Sequence, residues 1–191
     1  MPGLGPSPSR AVIETPRLTL RPVTEADAEA LHACFGDPEV MRYWDMAPRR
    51  DVAHTREWIA GSVSADPRWH AAWSLVLAGD DRPAGFVNYH HRAPRDRRLE
   101  IGYMLARAHW GQGLMSEAVR AFVSHCLEAL DTHRVEALVE PDNAASIRLV
   151  ERLGFRREGL LRDRLLVQGT YRSVHMFAVL EDEWRHGAVG R

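Results

Sequence analysis

The chain has 191 residues, a formal net charge of −1, 45% hydrophobic residues and 27% charged residues. These values are typical of one globular domain that is large enough to bury a core. A net charge near zero gives no electrostatic basis for binding nucleic acid or an anionic membrane surface, so we expect neither partner. No apolar run is long enough to cross a bilayer.

The N-terminus is rich in proline and glycine and lacks the apolar core of a signal peptide. We therefore expect residues 1–12 to form a flexible tail and residues 13–187 to form a single domain. The two cysteines, Cys34 and Cys126, are not spaced like metal ligands. They are predicted to be buried free thiols, which fits a cytoplasmic protein.

The first half of the sequence predicts a strand, two helices and a hairpin, in that order. Leu18 and Leu20 alternate with polar residues, which indicates a strand, and Thr24 with Asp27 resembles a capping box. The turn residues 79–83 separate two apolar runs and predict a hairpin. The predicted elements are a strand around 18–21, helices over 24–35 and 50–63, and strands over 73–77 and 84–89.

The second half alternates strands with helices. Apolar residues alternate along 99–105, and the period then becomes helical, with one apolar stripe along 114–130. Further strands are predicted over 135–139, 155–159 and 171–180, and a helix over 143–153. Hairpins combined with strand–helix–strand crossovers predict an α/β domain, in which helices flank a mixed sheet.

A loop with two glycines joins the alternating strand to the long helix. It has the sequence Trp110-Gly-Gln-Gly-Leu-Met115. Glycines at this position let backbone N–H groups face an anion at the positive end of the helix dipole. Because the loop lacks the lysine of a P-loop, it favours binding a phosphate-bearing cofactor over cleaving a nucleotide. A tight turn with no ligand is the other interpretation of a Gly-x-Gly pattern.

Several motifs in this order resemble the GNAT superfamily of acetyl-CoA-dependent N-acetyltransferases, in particular its RimJ/RimL branch. The motifs are Arg17-Leu-Thr-Leu-Arg-Pro22, Glu100-Ile-Gly-Tyr103, the glycine loop, Asn143-Ala-Ala-Ser146 with its helix, and Gly169-Thr-Tyr-Arg-Ser-Val-His175. The resemblance implies a mixed, mostly antiparallel sheet of about six or seven strands flanked by helices. It further implies that the two central strands splay apart to admit acetyl-CoA.

The resemblance also implies which residues hold acetyl-CoA. The backbone of Met104 and Leu105 is expected to contact pantetheine, and Asn143 to cap a helix beside the same arm. The sequence departs from the family pattern at Trp110, where Arg or Gln is usual, and at Met115, where a small residue is usual. The amides expected to bind the diphosphate belong to Gly111, Gln112, Gly113, Leu114, Met115 and Ser116.

Glu100 is the candidate general base, because several family members carry their catalytic glutamate at this place. A partly apolar setting would raise its pKa and make it a better base. The other interpretation is an exposed glutamate paired with Arg97 or Arg98. The usual tyrosine acid is replaced by Val150, so Ser146 is the candidate acid.

Tyr103 is a second candidate for the general acid. His90 and His91 look like a pair of metal ligands, but neighbouring strand residues point to opposite faces, so no metal site is predicted.

The sequence thus predicts an enzyme that transfers acetyl from acetyl-CoA to a primary amine by direct attack in a ternary complex. The expected acceptor is the α-amine of a protein or peptide, and the family suggests a homodimer. One alternative is a small amine such as a polyamine or an antibiotic, for which the acids Asp45, Asp51 and Glu57 are a hint. Another is a catalytically weak acyl-CoA-binding sensor.

Overall fold

A computed structural model describes residues 10–187 of the chain. Its core is one eight-stranded sheet in the order β1-β2-β3-β4-β5-β6-β8-β7. All neighbouring strands are antiparallel except β5 and β6, which are parallel. The strands are β1 (Ile13–Glu14), β2 (Leu18–Pro22), β3 (Ala71–Leu77), β4 (Pro83–Ala93), β5 (Arg98–Leu105), β6 (Arg134–Val139), β7 (Arg156–Val167) and β8 (Thr170–Leu180).

Helices cover both faces of this sheet and bury a separate apolar cluster on each. Residues of α1, α2 and α3 pack with Phe86 and Met104 on one face, which we call the α1–α3 face. Residues of α4 and α5 pack with Leu99 and Ile101 on the other, the α4–α5 face. The helices are α1 (Ala28–Phe35), α2 (Pro38–Met41), α3 (Val52–Ser64), α4 (Leu114–Ala129), α5 (Ala144–Arg152) and α6 (Glu181–Gly187).

The central strands β5 and β6 diverge, as the resemblance implied. Their register pairs only Arg98, Leu99 and Glu100 with Arg134, Val135 and Glu136. Beyond Glu100, β5 continues to Leu105 while pairing only with β4. One edge of β5 therefore faces an opening in the sheet rather than another strand.

The sheet is larger than the predicted six or seven strands. The two-residue strand β1 pairs with β2, and it is too short to leave a periodic pattern in the sequence. Strand β7 continues to Val167, well past its predicted end, because it pairs with β8 along a long hairpin. The short helix α2, which was not predicted, begins directly after α1, since the Asp37 side chain caps it and Pro38 occupies its first turn.

Residues 1–9 of the predicted tail lie outside the described residues. The next residues contact the domain: the Arg10 guanidinium donates to the carbonyls of Val63 and Ala65, and Ala11 accepts from the Trp73 indole. Both cysteines are buried free thiols, as predicted. No helix within residues 10–187 is long and apolar enough to cross a membrane.

A buried carboxylate joins the first helical turn to the sheet. Asp27 accepts hydrogen bonds from Arg21 (2.6 and 2.8 Å), from the Thr24 amide (2.9 Å) and from the Ser74 hydroxyl (2.8 Å). Burial alone would raise the pKa of Asp27, but these hydrogen bonds hold it below the usual value. This lowered pKa adds stability that is present above the ordinary carboxyl pKa and is lost as the pH falls through the folded-state value.

We expect Asp27→Asn to lower the free energy of unfolding by about 3–5 kcal/mol, because it leaves the Arg21 charge without its counter-charge. Urea denaturation at pH 7 measures this loss. The matched control is Glu25→Gln in the same turn, where the side chain is exposed. The difference between Asp27→Asn and the parent is expected to shrink as the pH falls below about 4. A difference that is constant with pH would contradict this account.

Candidate active site

The glycine loop precedes α4 and presents unpaired amides. Gly111 and Gly113 both have a φ of 75°, in the left-handed region that favours glycine. The first hydrogen bond of the helix runs from the Glu117 amide to the Gly113 carbonyl at 3.1 Å. Among residues 10–187, the amides of residues 111–116 have no hydrogen-bond acceptor. This arrangement can bind the oxygens of a diphosphate.

An ion pair between Arg17, which precedes β2, and Glu117 of α4 holds this loop in place. The Arg17 guanidinium donates to the Gln112 carbonyl at 2.9 Å and to the Glu117 carboxylate at 2.6 Å. Glu117 also accepts from the Thr15 hydroxyl at 2.8 Å. The loop, the first turn of α4 and the strand β2 are thereby held together across about a hundred residues of sequence.

The structure accommodates both departures from the family pattern. The Trp110 indole N–H donates to the Leu105 carbonyl at 2.7 Å, and its side chain is 47% exposed. Met115 packs against the core of the α4–α5 face, as the helical stripe predicts. Leu105, whose backbone the resemblance assigns to pantetheine, already accepts this indole hydrogen bond at its carbonyl, and the register pairs Met104 with Phe86 of β4.

Asn143 and Ser146 lie at the start of α5, close to the opening. The Asn143 side chain caps the helix by accepting from the Ser146 amide at 3.1 Å, as predicted. The Ser146 hydroxyl is 2.6 Å from the Tyr103 hydroxyl, so the two candidate acids form one hydrogen-bonded pair. Burial raises the pKa of Tyr103 to about 12. Val150 is fully buried in the core of this face.

Glu100 lies where β5 and β6 part, and two histidines bind its carboxylate. Its oxygens are 3.0 Å from His90 Nε2 and 3.3 Å from His91 Nδ1. The side chain is 13% exposed and is not paired with Arg97 or Arg98. Burial acts to raise the pKa of Glu100, but the histidine hydrogen bonds and charges lower it below the ordinary value. The expectation of a raised pKa was therefore wrong.

The two histidines converge on one carboxylate, so the prediction that they point to opposite faces was also wrong. The register of β4 against β5 shifts between His90 and Ala93, and His91 has a φ of 48°. A shift of this kind re-aims a side chain that regular pleating would direct away. The nitrogen and oxygen atoms of His90, His91 and Glu100 that could hold a metal ion all lie within 4.8 Å of one another.

The candidate base and the candidate acids lie on different faces of the sheet. Side chains alternate along β5, so Glu100 shares the α1–α3 face with Met104, which packs there. Tyr103 packs against the cluster on the α4–α5 face and meets Ser146 there. The opening between β5 and β6 connects the two faces, so groups on both sides can reach a molecule lying in it.

Comparison with known proteins identifies this arrangement. The family profile described as "Acetyltransferase (GNAT) domain" matches residues 17–156. The chain belongs to the GNAT acetyltransferase family. The "Uncharacterized N-acetyltransferase p20" of Bacillus licheniformis is 37% identical over 172 residues, which cover 89% of this chain and 96% of that protein.

Two further GNAT proteins are similar over most of the domain. The ribosomal-protein-serine acetyltransferase of Escherichia coli K12 is 28% identical over 128 residues, which cover 67% of this chain and 71% of that protein. A solved structure of RimL, a ribosomal L7/L12 alpha-N-protein acetyltransferase in complex with coenzyme A, has a TM-score of 0.80 at 24% identity. The match covers 91% of this chain and 99% of that one. At that identity, the likeness shows the shared fold.

The GNAT fold and the geometry of this chain both fit acetyl-CoA. The free amides of residues 111–116 match a diphosphate, and the unpaired edge of β5 matches an extended amide-bearing arm. An arm of that kind can pair with β5 as an added strand would. The chain is therefore an N-acetyltransferase of this family, and its own residues form a site suited to the acetyl donor.

Proposed function

We propose that this protein transfers acetyl from acetyl-CoA to the α-amine of a protein or peptide by direct attack in a ternary complex. One observation carries the proposal: the opening between β5 and β6 lies between Glu100 on one face and the Tyr103–Ser146 pair on the other. A base on one side of a thioester and hydrogen-bond donors on the other meet the needs of amide formation. We place the reaction in the cytoplasm.

The proposed chemistry uses these groups in sequence. The neutral amine attacks the thioester carbonyl carbon, forming the C–N bond, and the resulting oxyanion accepts from an amide on the free edge of β5. The amine gives one proton to the base on the Glu100 side. The C–S bond then breaks, and the departing sulfur receives a proton from the Tyr103–Ser146 pair. Amide and CoA thiol are the products, so atoms and charge balance.

The lowered pKa of Glu100 favours an acceptor that loses its proton easily. An α-amine has a pKa of about 8, whereas a lysine or polyamine nitrogen has one of about 10.4, which is a larger demand on the base. The similarity to a ribosomal-protein-serine acetyltransferase supports the same choice. The acids Asp45, Asp51 and Glu57, which would favour a polyamine, are all exposed to solvent.

The Tyr103–Ser146 pair is proposed to assist the departing sulfur. Tyr103 is protonated at neutral pH, as an ordinary tyrosine is, and its hydroxyl can donate to the thiolate directly or through Ser146. We expect Tyr103→Phe to lower kcat by about tenfold, since a thiolate leaves well with little help. Ser146→Ala is the matched variant across the same hydrogen bond. A double variant that loses no more than either single variant would show that the two act as a unit.

A direct assay of the proposed function is CoA release from acetyl-CoA, followed by mass spectrometry of the acceptor. The acceptors are peptides with ribosomal-protein N-termini, the same peptides with a blocked α-amine and a free lysine, polyamines, aminoglycosides and free amino acids. Acetylation of the free α-amine, and none of the blocked peptides, is expected. Turnover of polyamines or aminoglycosides alone would move the assignment to small amines. Tight binding of acetyl-CoA with no acetylated product would indicate a sensor module.

A further inference from the structure

Three potential metal ligands converge where β5 and β6 part. His90 Nε2 lies 3.0 Å from one oxygen of the Glu100 carboxylate, and His91 Nδ1 lies 3.3 Å from the other. The two nitrogens and the carboxylate oxygen that could bind an ion all lie within 4.8 Å of one another. Two atoms bound to one tetrahedral zinc ion are about 3.4 Å apart, because each lies about 2.1 Å from the ion. The cluster is therefore close to the size of a zinc site before any ion enters.

The backbone of β4 is distorted at the position that brings the second histidine to the carboxylate. His91 has a φ of 48°, which is uncommon for a residue with a side chain, and the β4–β5 register shifts between His90 and Ala93. Uncommon backbone conformations and bulges occur preferentially at functional sites. The distortion is thus a second observation, independent of the ligand distances, that points to a site here.

The types of ligand favour one class of ion. Two histidines and one glutamate are the protein ligands of several zinc sites, in which water takes the fourth position. Imidazole nitrogens suit zinc and its neighbours among the transition metals, whereas Mg²⁺ and Ca²⁺ prefer a shell of oxygen ligands. Because only one of the three ligands here is a carboxylate, the cluster favours zinc over Mg²⁺ and Ca²⁺.

An ion can reach the cluster from solvent, and the cluster can close around it. The His91 side chain is 70% exposed, whereas that of Glu100 is 13% exposed. Two buried polar atoms beside the cluster, His90 Nδ1 and Asn88 Oδ1, have no hydrogen-bond partner among the described residues. The His90 ring is therefore hydrogen-bonded only through Nε2, and a small rotation toward an ion breaks no other hydrogen bond.

The charge opposite the Glu100 carboxylate has a different source in the metal-free and the metal-bound protein. In the metal-free protein, the N–H groups and charges of the two histidines lower the pKa of Glu100. A zinc ion displaces the hydrogens from the coordinating nitrogens and places its two positive charges there instead. The neighbouring carboxylate of Glu136 is already bound by Arg98 and Arg134. Water is therefore the expected fourth ligand.

We propose that His90, His91 and Glu100 bind one zinc ion and that the bound ion stops acetyl transfer. The site follows from the ligands alone, whereas the inhibition rests on the proposed function, in which Glu100 takes the proton of the amine. A carboxylate that is bound to a doubly charged ion is a much weaker base, so it no longer takes that proton. Zinc is thus a reversible inhibitor that a chelator removes.

Zinc binding is measured on the metal-free protein by competition with a chromophoric chelator. The parent should bind one zinc ion per chain, and Mg²⁺ should not displace it. His91→Asn removes the imidazole, and it should fold like the parent because asparagine tolerates a positive φ. We expect it to bind zinc about 100-fold more weakly or worse, since loss of even an outer partner of a ligand costs up to that factor. The matched control is His54→Asn, which should keep the parent affinity, because His54 pairs with the single carboxylate of Asp51 outside the cluster.

Cobalt(II) gives a spectroscopic readout that does not depend on activity. The parent should show the visible absorption of a four- or five-coordinate cobalt ion with nitrogen ligands. His91→Asn and His90→Gln should each lose this absorption, and His54→Asn should retain it. A purely structural role of the two histidines would not produce that pattern.

Inhibition is measured with an acceptor that the metal-free parent acetylates. The acetylated acceptor is quantified by mass spectrometry, because the thiol of free CoA binds zinc and would disturb a thiol assay. At a zinc concentration of ten times the Kd, the parent should lose about tenfold of its rate, as the occupancy of one site requires. A chelator should restore the rate. His91→Asn, compared with its own rate in chelator, should lose none.

The outcomes separate this inference from the proposed function. If zinc does not bind the parent, binds His91→Asn equally well, or binds the parent without lowering its rate, the inference is overturned and the proposed function stands. Acetyl transfer that requires zinc also overturns the inference, since the ion would then take part in the reaction. A metal-free parent that acetylates no amine overturns the proposed function and the inhibition with it, while the chelator competition still decides whether the zinc site exists.

Discussion

Replacing Gly113 with proline is expected to weaken acetyl-CoA binding by about 100-fold or more. Proline removes one of the amides proposed to bind the diphosphate, and it cannot adopt the φ of Gly113. Gly113 has a φ of 75°, whereas proline requires a φ near −65°. The N-terminus of α4 can then no longer present its free amides together. Isothermal titration of acetyl-CoA measures the loss.

The matched control for this variant is Gly169→Pro. Gly169 has a φ of 80° in the turn between β7 and β8, and a side chain there would meet nothing within 4 Å. Gly169→Pro thus places proline at a glycine of positive φ outside the glycine loop. It should lower the free energy of unfolding while leaving the affinity for acetyl-CoA within about threefold of the parent. If Gly113→Pro is folded and still binds acetyl-CoA tightly, the diphosphate lies elsewhere.

Glu100→Gln is expected to lower kcat by about 100-fold at pH 7, with the Kd for acetyl-CoA within about twofold of the parent. Glutamine has no carboxylate that could take the amine proton in the proposed reaction. Steady-state kinetics with a saturating acceptor separates this loss from any change in binding.

The pH profile gives a second readout for Glu100. Because hydrogen bonds and charges of the two histidines hold its pKa below the ordinary carboxyl value, Glu100 is charged at neutral pH, and its own titration cannot produce an activity limb near neutrality. Glu136→Gln is the control, since that buried carboxylate pairs with Glu100 in the strand register and binds Arg134. Its activity should stay within about threefold of the parent. A parent-like kcat in Glu100→Gln would remove Glu100 from the mechanism.

Features that depend on nearby residues could be predicted from the sequence. The left-handed glycines of the loop, the capping box at Thr24 and the Asn143 cap each arise from a few adjacent residues. The apolar stripe of α4 likewise repeats within the helix. The helix α6 was missed although acids fill its first turn, and acids in the first turn are a known start signal.

Features that depend on strand register or on distant contacts could not be predicted. The convergence of His90 and His91 follows from a register shift against β5 that nothing in the local sequence shows. Tyr103 meets Ser146, and Arg17 meets the glycine loop, across long stretches of chain. The partnerless state of Asn88 Oδ1 is a property of the packed interior. Such contacts exist only once the sheet has formed, so the local sequence does not predict them.

The divergence of β5 and β6 has a consequence for the size of the acceptor. The amide loop and the Tyr103–Ser146 pair lie toward α4 and α5, whereas Glu100 lies on the opposite face. In the proposed reaction, the donor and the acceptor approach the reacting carbon from opposite sides of one layer of backbone. A folded protein could offer its first residues to the opening while its body stays outside, without colliding with the nucleotide. The enzyme would then discriminate between acceptors by the few atoms that enter the opening, and not by the size of the whole acceptor.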